Sequence, residues 1–313
     1  MALYRGSLPQ LGGGLFLTDG GLETTLIFHE GLDLPDFAAF HLLQDATGTQ
    51  VLRDYFRRYA AIASDRAVGF ILESPTWRSN ADWGTGLGYS SEALGEANVK
   101  SIELLEEVRD EFQSDDSPMV ISGCVGPRGD GYLPADIMTP LEAQAYHAQQ
   151  IGWFAHTAAD LATAITMTNT NEAIGIARAG AETGLPVVLS FTVETDGRLP
   201  TGMPLGQAIQ EVDAATDGYA AYYMINCAHP DHFADQLPKD EPWCDRIQGV
   251  RANASRKSHA ELDEAEELDD GNPTELAAQY RALKGKLRNL NVLGGCCGTD
   301  HRHIEAMADS YAV

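Results

Sequence analysis

Eight short runs of apolar and β-branched residues recur along the 313-residue chain, and Gly, Asn, Ser or Thr closes each run. The runs end near Asp19, Ser74, Cys124, Thr168, Thr192, Cys227, Asn253 and Cys296. Their mean spacing of about 40 residues suits a strand followed by a helix and a loop. Amphipathic stretches such as Ser91 to Phe112 lie between the runs. The pattern predicts an α/β fold, a (β/α)₈ TIM barrel, with residues 1–313 forming a single domain.

An open, doubly wound sheet is the alternative arrangement of the same units. The dinucleotide-binding form of that sheet needs a G-x-G-x-x-G turn after its first strand. Here the glycines at 12–14 precede a strand, so the barrel is favoured. Active sites of such barrels lie at the C-terminal strand ends, and three of the eight predicted ends carry cysteine.

The charge balance narrows the functional classes. The chain has 46 acidic and 21 basic residues, for a net charge of −25, which argues against nucleic-acid binding. Either a saline habitat or simple solubility could account for the acidity. No run approaches the roughly 18 apolar residues of a membrane span, and nothing resembles a signal peptide. Five cysteines, an odd number, then predict a cytoplasmic protein with free or metal-bound thiols. The oligomeric state stays open.

Two adjacent cysteines, Cys296 and Cys297, follow Gly294 and Gly295 and precede Gly298. On a regular strand their side chains would point to opposite faces, but glycines admit conformations that turn both sulfurs the same way. Cys227 closes the sixth predicted strand, which in a barrel lies one strand away from the eighth. Three thiolates from these cysteines would hold Zn²⁺ with one open position, as in a catalytic site.

The cysteines could also have a different role. Small thiols could simply fill space at a tight turn, and an iron–sulfur cluster would want a fourth cysteine in closer spacing. His229 is a candidate fourth ligand near Cys227, or it could fix the turn before Pro230. Three thiolates make zinc a poor activator of water, but such a zinc can bind a substrate thiol and lower its pKa. That chemistry is alkyl transfer to a thiol.

The segments "LTDGGLETTL", "MINC" and "GGCCG" together resemble the homocysteine S-methyltransferases, a zinc-dependent barrel family. The resemblance spans nearly the whole chain. It implies that Cys227, Cys296 and Cys297 bind Zn²⁺ and carry the catalysis. It also implies that Asp19, with the backbone of Gly20 and Gly21, holds the amino acid part of homocysteine, and that the product is methionine. The implied partners are a small-molecule thiol and a methyl donor.

Four further residues are looser matches to the family and are predicted to bind substrate. Ser74 and Thr76 stand where the family has hydroxyl residues after the second strand. Asn226 precedes the metal cysteine, and Asn253 ends the seventh strand. For both asparagines the alternative is a polar side chain that satisfies loop backbone groups.

The fourth strand departs from the family, which usually has a substrate-binding Glu at its end. Here "TAITMTNTNEA" offers no acid before Glu172. Glu73, at the end of the second strand, is the candidate replacement that would bind the substrate ammonium. Its alternatives are a contact with the donor or a structural pairing with Arg78 or another arginine.

The donor must carry a good leaving group, such as a sulfonium or a quaternary ammonium. Trp77, Trp83, Tyr89 and Tyr132 lie on two predicted top-face loops and could hold that cation over their rings. Three rival functions stay open: methyl transfer to a different small thiol or selenol, a zinc hydrolase, and a non-catalytic zinc- or thiol-binding barrel.

Overall fold

The computed structural model describes residues 1–132, 137–238, 240–265 and 267–311, and within them eight parallel strands close a barrel in sequence order. The predicted (β/α)₈ TIM barrel is confirmed; its predicted limit at Val313 lies outside the described residues. The strands are β1 Phe16–Leu17, β2 Gly69–Glu73, β3 Met119–Val125, β4 Leu161–Met167, β5 Val187–Thr192, β6 Tyr223–Asn226, β7 Ile247–Ala252 and β8 Val292–Gly295.

Helices alternate with the strands and form the outer layer. They are α1 Leu22–Thr24, α2 Ala46–Asp65, α3 Ala81–Gly86, α4 Ser91–Phe112, α5 Pro140–Ala155, α6 Thr170–Thr183, α7 Leu205–Thr216, α8 Pro230–Phe233, α9 His259–Asp263, α10 Pro273–Leu283 and α11 His301–Tyr311. The helix predicted over Ser91 to Phe112 has the observed bounds of α4. None of the described helices is both long and apolar enough to cross a bilayer.

The long helices begin where a side chain satisfies a free backbone N–H group. Asp45 accepts from Gly48 N before α2, and Asn169 accepts from the N–H of Glu172 before α6. Thr139 forms a reciprocal capping box with Glu142 at the start of α5. These local signals fix where each strand-to-helix loop ends, and the loops form the mouth of the barrel.

The barrel interior is layered because side chains alternate along each strand. Its N-terminal end is filled by one apolar cluster: Leu8, Phe16, Ile71, Val120, Leu161, Val188, Tyr222, Met224 and Val292. Two residues beyond this cluster, the inward-facing positions of β2, β3 and β4 are Glu73, Ser122 and Thr163, and β7 adds Arg251. Asn253 and Cys296 follow immediately after the ends of β7 and β8. The fold therefore sets a polar layer directly beneath the cysteines.

Candidate functional site

The three predicted metal ligands converge at the mouth of the barrel. The sulfurs of Cys227, Cys296 and Cys297 all lie within 4.8 Å of one another. Cys227 Sγ is 3.8 Å from Cys297 Sγ and 2.7 Å from Cys296 Sγ. A tetrahedral zinc with bonds of about 2.3 Å holds two sulfurs about 3.8 Å apart. One pair already has that spacing, and the other would have to separate by about 1 Å, so the residues fit such an ion.

The backbone at each cysteine explains how the sulfurs meet. Cys227 has φ +54°, in the left-handed region, which turns its side chain at the end of β6. His259 Nε2 lies 2.6 Å from the Cys227 carbonyl oxygen and holds this turn. After β8, Gly298 takes φ +79°, as the sequence predicted for a turn there. A Cβ atom at Gly295 would lie 1.9 Å from Thr299 Oγ1, so only glycine fits.

The thiols do not share protons equally. Hydrogen bonds from Cys227 and Cys297, helped by the charge of Arg251, lower the pKa of the Cys296 thiol well below its usual value. Hydrogen bonding with Cys296 and Cys297 raises the pKa of Cys227. Cys296 therefore ionises more readily than Cys227, and the thiolate is the form of cysteine that binds a metal ion.

Tyr132 and His259 cover one side of the sulfurs. The Tyr132 hydroxyl lies 3.4 Å from Cys227 Sγ and 3.7 Å from Cys297 Sγ. Its ring stacks on His259, with centroids 4.1 Å apart. The sequence suggested Tyr132 only as a donor-binding aromatic and gave no role to His259. Tyr132 lies in the loop after β3 and His259 begins α9, and no local pattern indicates that either residue reaches the cysteines.

A buried arginine at the inward position of β7 links three strand ends. Arg251 Nη2 donates to Asp19 Oδ1 at 2.6 Å, its Nη1 binds a Glu73 carboxylate oxygen, and its Nε donates to the Gly295 carbonyl at 3.0 Å. Ser122 Oγ donates to the other Glu73 oxygen at 3.0 Å. Sequence reasoning missed Arg251, although an arginine within the apolar run "RIQGVRANAS" was a visible signal.

This network decides where two predicted substrate residues point. Burial raises the pKa of both Asp19 and Glu73, and Arg251 opposes the rise. Tyr55 donates to Asp19 Oδ2 at 3.0 Å, so each carboxylate oxygen of this pair already has a protein partner. The structure thus realises the arginine pairing of Glu73 that the sequence left open. A substrate contact by Asp19 or Glu73 stays a prediction.

Gly20 and Gly21 form a close contact with the segment that carries the cysteines. A Cβ at Gly21 would lie 2.5 Å from the Cys296 carbonyl oxygen, and one at Gly20 would lie 2.8 Å from the Thr299 carbonyl. The Gly21 N–H donates to the Thr299 carbonyl at 3.0 Å. The "DGG" segment is therefore packed directly against the metal-ligand loop, where glycine is required by space.

The side chains of Ser74, Thr76 and Asn226 form hydrogen bonds with other strands of the barrel. Ser74 Oγ and Thr76 Oγ1 lie 2.6 Å apart, and Ser74 Oγ accepts from the N–H of Cys124 at 2.8 Å. Asn226 Oδ1 accepts from Thr166 N at 3.0 Å, and its Nδ2 donates to Thr166 Oγ1 at 2.9 Å. Thr166 has φ +65° at an irregularity of β4, so Asn226 stabilises a strained strand end. Substrate binding by these three residues stays a prediction.

Among the described residues, Asn253 has an unsatisfied amide oxygen and Glu23 a carboxylate that forms no ion pair. Asn253 is 1% exposed, and its Oδ1 has no hydrogen-bond partner in the described part of the chain. Glu23, in α1, is half-buried and forms no ion pair with the described residues. Burial, reinforced by the nearby charges of Cys296 and Asp19, raises the pKa of Glu23 to about 7. Sequence reasoning missed Glu23, although it lies inside the "LTDGGLETTL" segment.

Glu172, which the sequence analysis noted after β4, and His229, the candidate fourth ligand, both have structural partners. Glu172, the first acid after β4, is buried at the start of α6, with Oε1 2.9 Å from His147 Nε2 and 2.7 Å from Arg128 N. His229 caps α8 by accepting from Asp231 N at 3.2 Å, which is the turn-fixing role that the sequence left open. Burial lowers the pKa of His229 to about 4. Neither residue belongs to the metal-ligand cluster found among the described residues.

The proposed donor-binding rings have protein partners. Arg78 lies over both Trp77 and Trp83, so the chain itself supplies a cation to these two indoles. Tyr89 packs on Phe40, with centroids 5.1 Å apart, and accepts a hydrogen bond from Gln44 at 2.6 Å. Of the four aromatic residues, Tyr132 alone contacts the cysteine cluster, within the residues that the structure describes.

Comparison with known proteins found one matching family model and several crystal structures of similar fold. A family model described as "Homocysteine S-methyltransferase" matches residues 16–311. Two crystal structures of the homocysteine methyltransferase MmuM from Escherichia coli are similar in fold. The oxidised form gives a TM-score of 0.73 at 20% identity over 97% of this chain and 98% of that one. The metallated form gives 0.71 at 18% identity over 96% and 98%.

No curated protein matches the chain closely enough to extend this comparison. The similarity to the two MmuM structures supports the fold, while the family match covers the barrel from β1 to α11 and includes all three cysteines. The chain therefore belongs to the homocysteine S-methyltransferase family.

Proposed function

We propose that this protein binds one Zn²⁺ through Cys227, Cys296 and Cys297 and transfers a methyl group from a sulfonium or quaternary ammonium donor to homocysteine, giving methionine. One observation carries the proposal: three sulfurs from two separate strand ends converge within 4.8 Å at the mouth of the barrel. Cys296 and Cys297 are only half-buried, which leaves one side of the cluster accessible to a substrate thiol.

Zinc held by three thiolates would supply a position for the homocysteine thiol and lower its pKa. The new bond joins that sulfur to the methyl carbon, while the bond from the methyl carbon to the donor sulfur or nitrogen breaks and the donor leaves as a neutral sulfide or amine. The thiol proton goes to solvent. The chain's own contribution is to orient the two substrates and to exclude competing nucleophiles from the mouth.

The amino acid part of homocysteine needs partners near Cys296. Asn253 supplies an amide oxygen with no hydrogen-bond partner among the described residues, and Glu23 supplies a carboxylate that forms no ion pair with them. We assign the substrate ammonium to Glu23, because its unpaired negative charge lies near both Cys296 and Asp19. A bound ammonium would lower the pKa of Glu23 and stabilise its ionised form. This assignment gives the mouth an acid that β4 does not provide.

The metal-binding thiols also restrict where the enzyme can operate. Thiols that hold a catalytic ion must stay reduced, and a reducing compartment keeps them so. We therefore propose a cytoplasmic enzyme that acts on small molecules.

The first experiment measures zinc content and methyl transfer together. Wild-type protein is expected to bind about one zinc and to consume homocysteine thiol with at least one of S-methylmethionine, S-adenosylmethionine, betaine and dimethylsulfoniopropionate. Cys227→Ser and Cys296→Ser should lose zinc and activity while the barrel stays folded, because a core of this size does not depend on metal.

Cys124→Ser is the matched control. Cys124 is a buried cysteine on β3 that lies outside the metal-ligand cluster, so its replacement should retain zinc and most activity. A Cys227→Ser protein with full zinc content and full activity would contradict the proposal.

A further inference from the structure

Arg78, in the loop between β2 and α3, is enclosed by two indole rings. Its guanidinium carbon lies 3.9 Å from the ring centroid of Trp77 and 3.8 Å from that of Trp83. The residue is only 7% exposed. Contact with two rings restricts the orientation of the guanidinium and leaves its N–H groups as the part that can bind a ligand.

The charge of Arg78 has no carboxylate in contact with it among the residues that the structure describes. No salt bridge joins Arg78 to any residue in the described ranges, and its one hydrogen bond runs from Nη1 to the Gly129 carbonyl at 3.3 Å. Its Nε is buried and has no hydrogen-bond partner within the described ranges. Burial lowers the pKa of Arg78, and the nearby negative charges of Asp130 and Glu23 oppose this shift.

Comparable arginines in this chain are paired. Arg251 binds Asp19 and Glu73, and Arg109 Nη1 lies 3.3 Å from an Asp160 oxygen. An unpaired buried charge is costly to fold, and natural cores normally avoid it. A guanidinium that is buried, stacked and without an ion pair in the described part of the chain is therefore suited to bind an anion from outside the chain.

The surroundings of Arg78 connect it to the cysteine cluster. Trp77 packs against Gly126, where a Cβ atom would lie 2.1 Å from the Trp77 carbonyl oxygen. Gly126 begins the loop after β3, which contains both Gly129, the acceptor of the Arg78 hydrogen bond, and Tyr132, whose hydroxyl is 3.4 Å from Cys227 Sγ. Arg78 thus lies on the wall of the same mouth, one loop away from the sulfurs.

We propose that Arg78 binds the carboxylate of a substrate through its free N–H edge, and so selects substrates that carry both a carboxylate and the reacting group. This inference rests on the proposed function. A guanidinium matches a carboxylate with two parallel hydrogen bonds. Two substrates could supply the group: homocysteine, or a zwitterionic methyl donor such as dimethylsulfoniopropionate.

The test compares ligands with and without a carboxylate by titration calorimetry on zinc-loaded full-length protein. The donor pair is dimethylsulfoniopropionate and trimethylsulfonium; the acceptor pair is homocysteine and 3-mercaptopropylamine. Each ligand is titrated alone, so no reaction occurs. In the wild type, one carboxylate-bearing ligand should bind more tightly than its partner. Arg78→Gln should raise the Kd of that ligand by about 10- to 150-fold and leave its carboxylate-free partner unchanged.

Two further variants separate recognition from damage to the loop. Arg128→Gln is the matched control, because Arg128 lies on the neighbouring loop but is exposed and paired with Asp82 at 2.7 Å. It should leave all four Kd values unchanged. Arg78→Lys keeps the charge without the planar fork and should recover part of the affinity. Damage to the loop would instead raise the Kd of both ligands of a pair by the same factor.

The possible results lead to different conclusions. Loss of preference within the donor pair assigns the carboxylate to the donor, and loss within the acceptor pair assigns it to homocysteine. If wild type shows no preference in either pair, or Arg78→Gln keeps it, the inference is overturned. If wild type shows the preference but transfers no methyl group from any donor, the proposed function fails and the carboxylate site stands.

Discussion

Replacing Arg251 with methionine tests the charge network beneath the cysteines. The substitution removes the counter-charge of Asp19 and Glu73, and an unbranched apolar side chain still fills the inner part of the space that the arginine occupied. Breaking a buried ion pair by deleting one partner costs about 3–5 kcal/mol. Domains of this kind unfold with about 5–15 kcal/mol, so the loss at pH 8 should be large and measurable in urea.

The loss should depend on pH with a definite sign. Burial raises the pKa of Asp19 and of Glu73, and Arg251 opposes the rise. Without Arg251 both pKa values rise further, and the folded state then holds protons that the unfolded state releases. Such groups stabilise the fold below their unfolded pKa values and lose that contribution as the pH rises. The variant should therefore be much closer to wild type at pH 5.5 than at pH 8.

The matched control is Arg288→Met. Arg288 lies 2.6 Å from Asp245, but the two side chains are 63% and 36% exposed. An exposed pair contributes at most about 1 kcal/mol, with little dependence on pH in this range. The reasoning is refuted if Arg251→Met loses less than about 1 kcal/mol at pH 8, or loses the same amount at both pH values.

Three further substitutions test other groups at the mouth. Asn226→Ala should lower the free energy of unfolding by about 1–3 kcal/mol, because it leaves buried Thr166 groups unpaired; an unchanged urea midpoint would count against this. Glu23→Gln should stabilise the metal-free protein by about 1–3 kcal/mol at pH 8 and hardly at pH 5, because the folded pKa of about 7 makes the ionised form unfavourable; melting curves at both pH values check it. Glu73→Gln distinguishes two roles: a substrate contact would raise the homocysteine KM by about 10- to 150-fold, whereas pairing with Arg251 alone would lower stability and leave KM unchanged.

The barrel and its cysteine cluster could be predicted because their signals are local. Strand runs and helix periodicity recur along the chain, and glycines mark the turn at Cys296 and Cys297. The convergence with Cys227 followed from strand order alone, since barrel strands close in sequence and their C-terminal ends share one face.

The polar contacts at the mouth could not be predicted, because they join residues far apart in sequence. Arg251 meets Asp19 across 232 positions, and nothing near either residue indicates the other. The sequence suggested that Trp77 and Trp83 bind a donor cation, yet the guanidinium of Arg78, adjacent to Trp77 in sequence, lies over both rings. A local pattern can predict an aromatic surface that suits a cation. Whether a ligand or a side chain of the chain itself binds there depends on the three-dimensional neighbours of that surface.

The left-handed backbone at Cys227 has a consequence for how such a protein can change over generations. A non-glycine residue at φ +54° destabilises the fold by about 1–3 kcal/mol. Selection maintains a cysteine at this position only while its sulfur is needed in the cluster. Glycine would remove the cost at once. In a lineage no longer selected for methyl transfer, a change from cysteine to glycine at position 227 would be a gain in stability, so this ligand should be among the first to disappear.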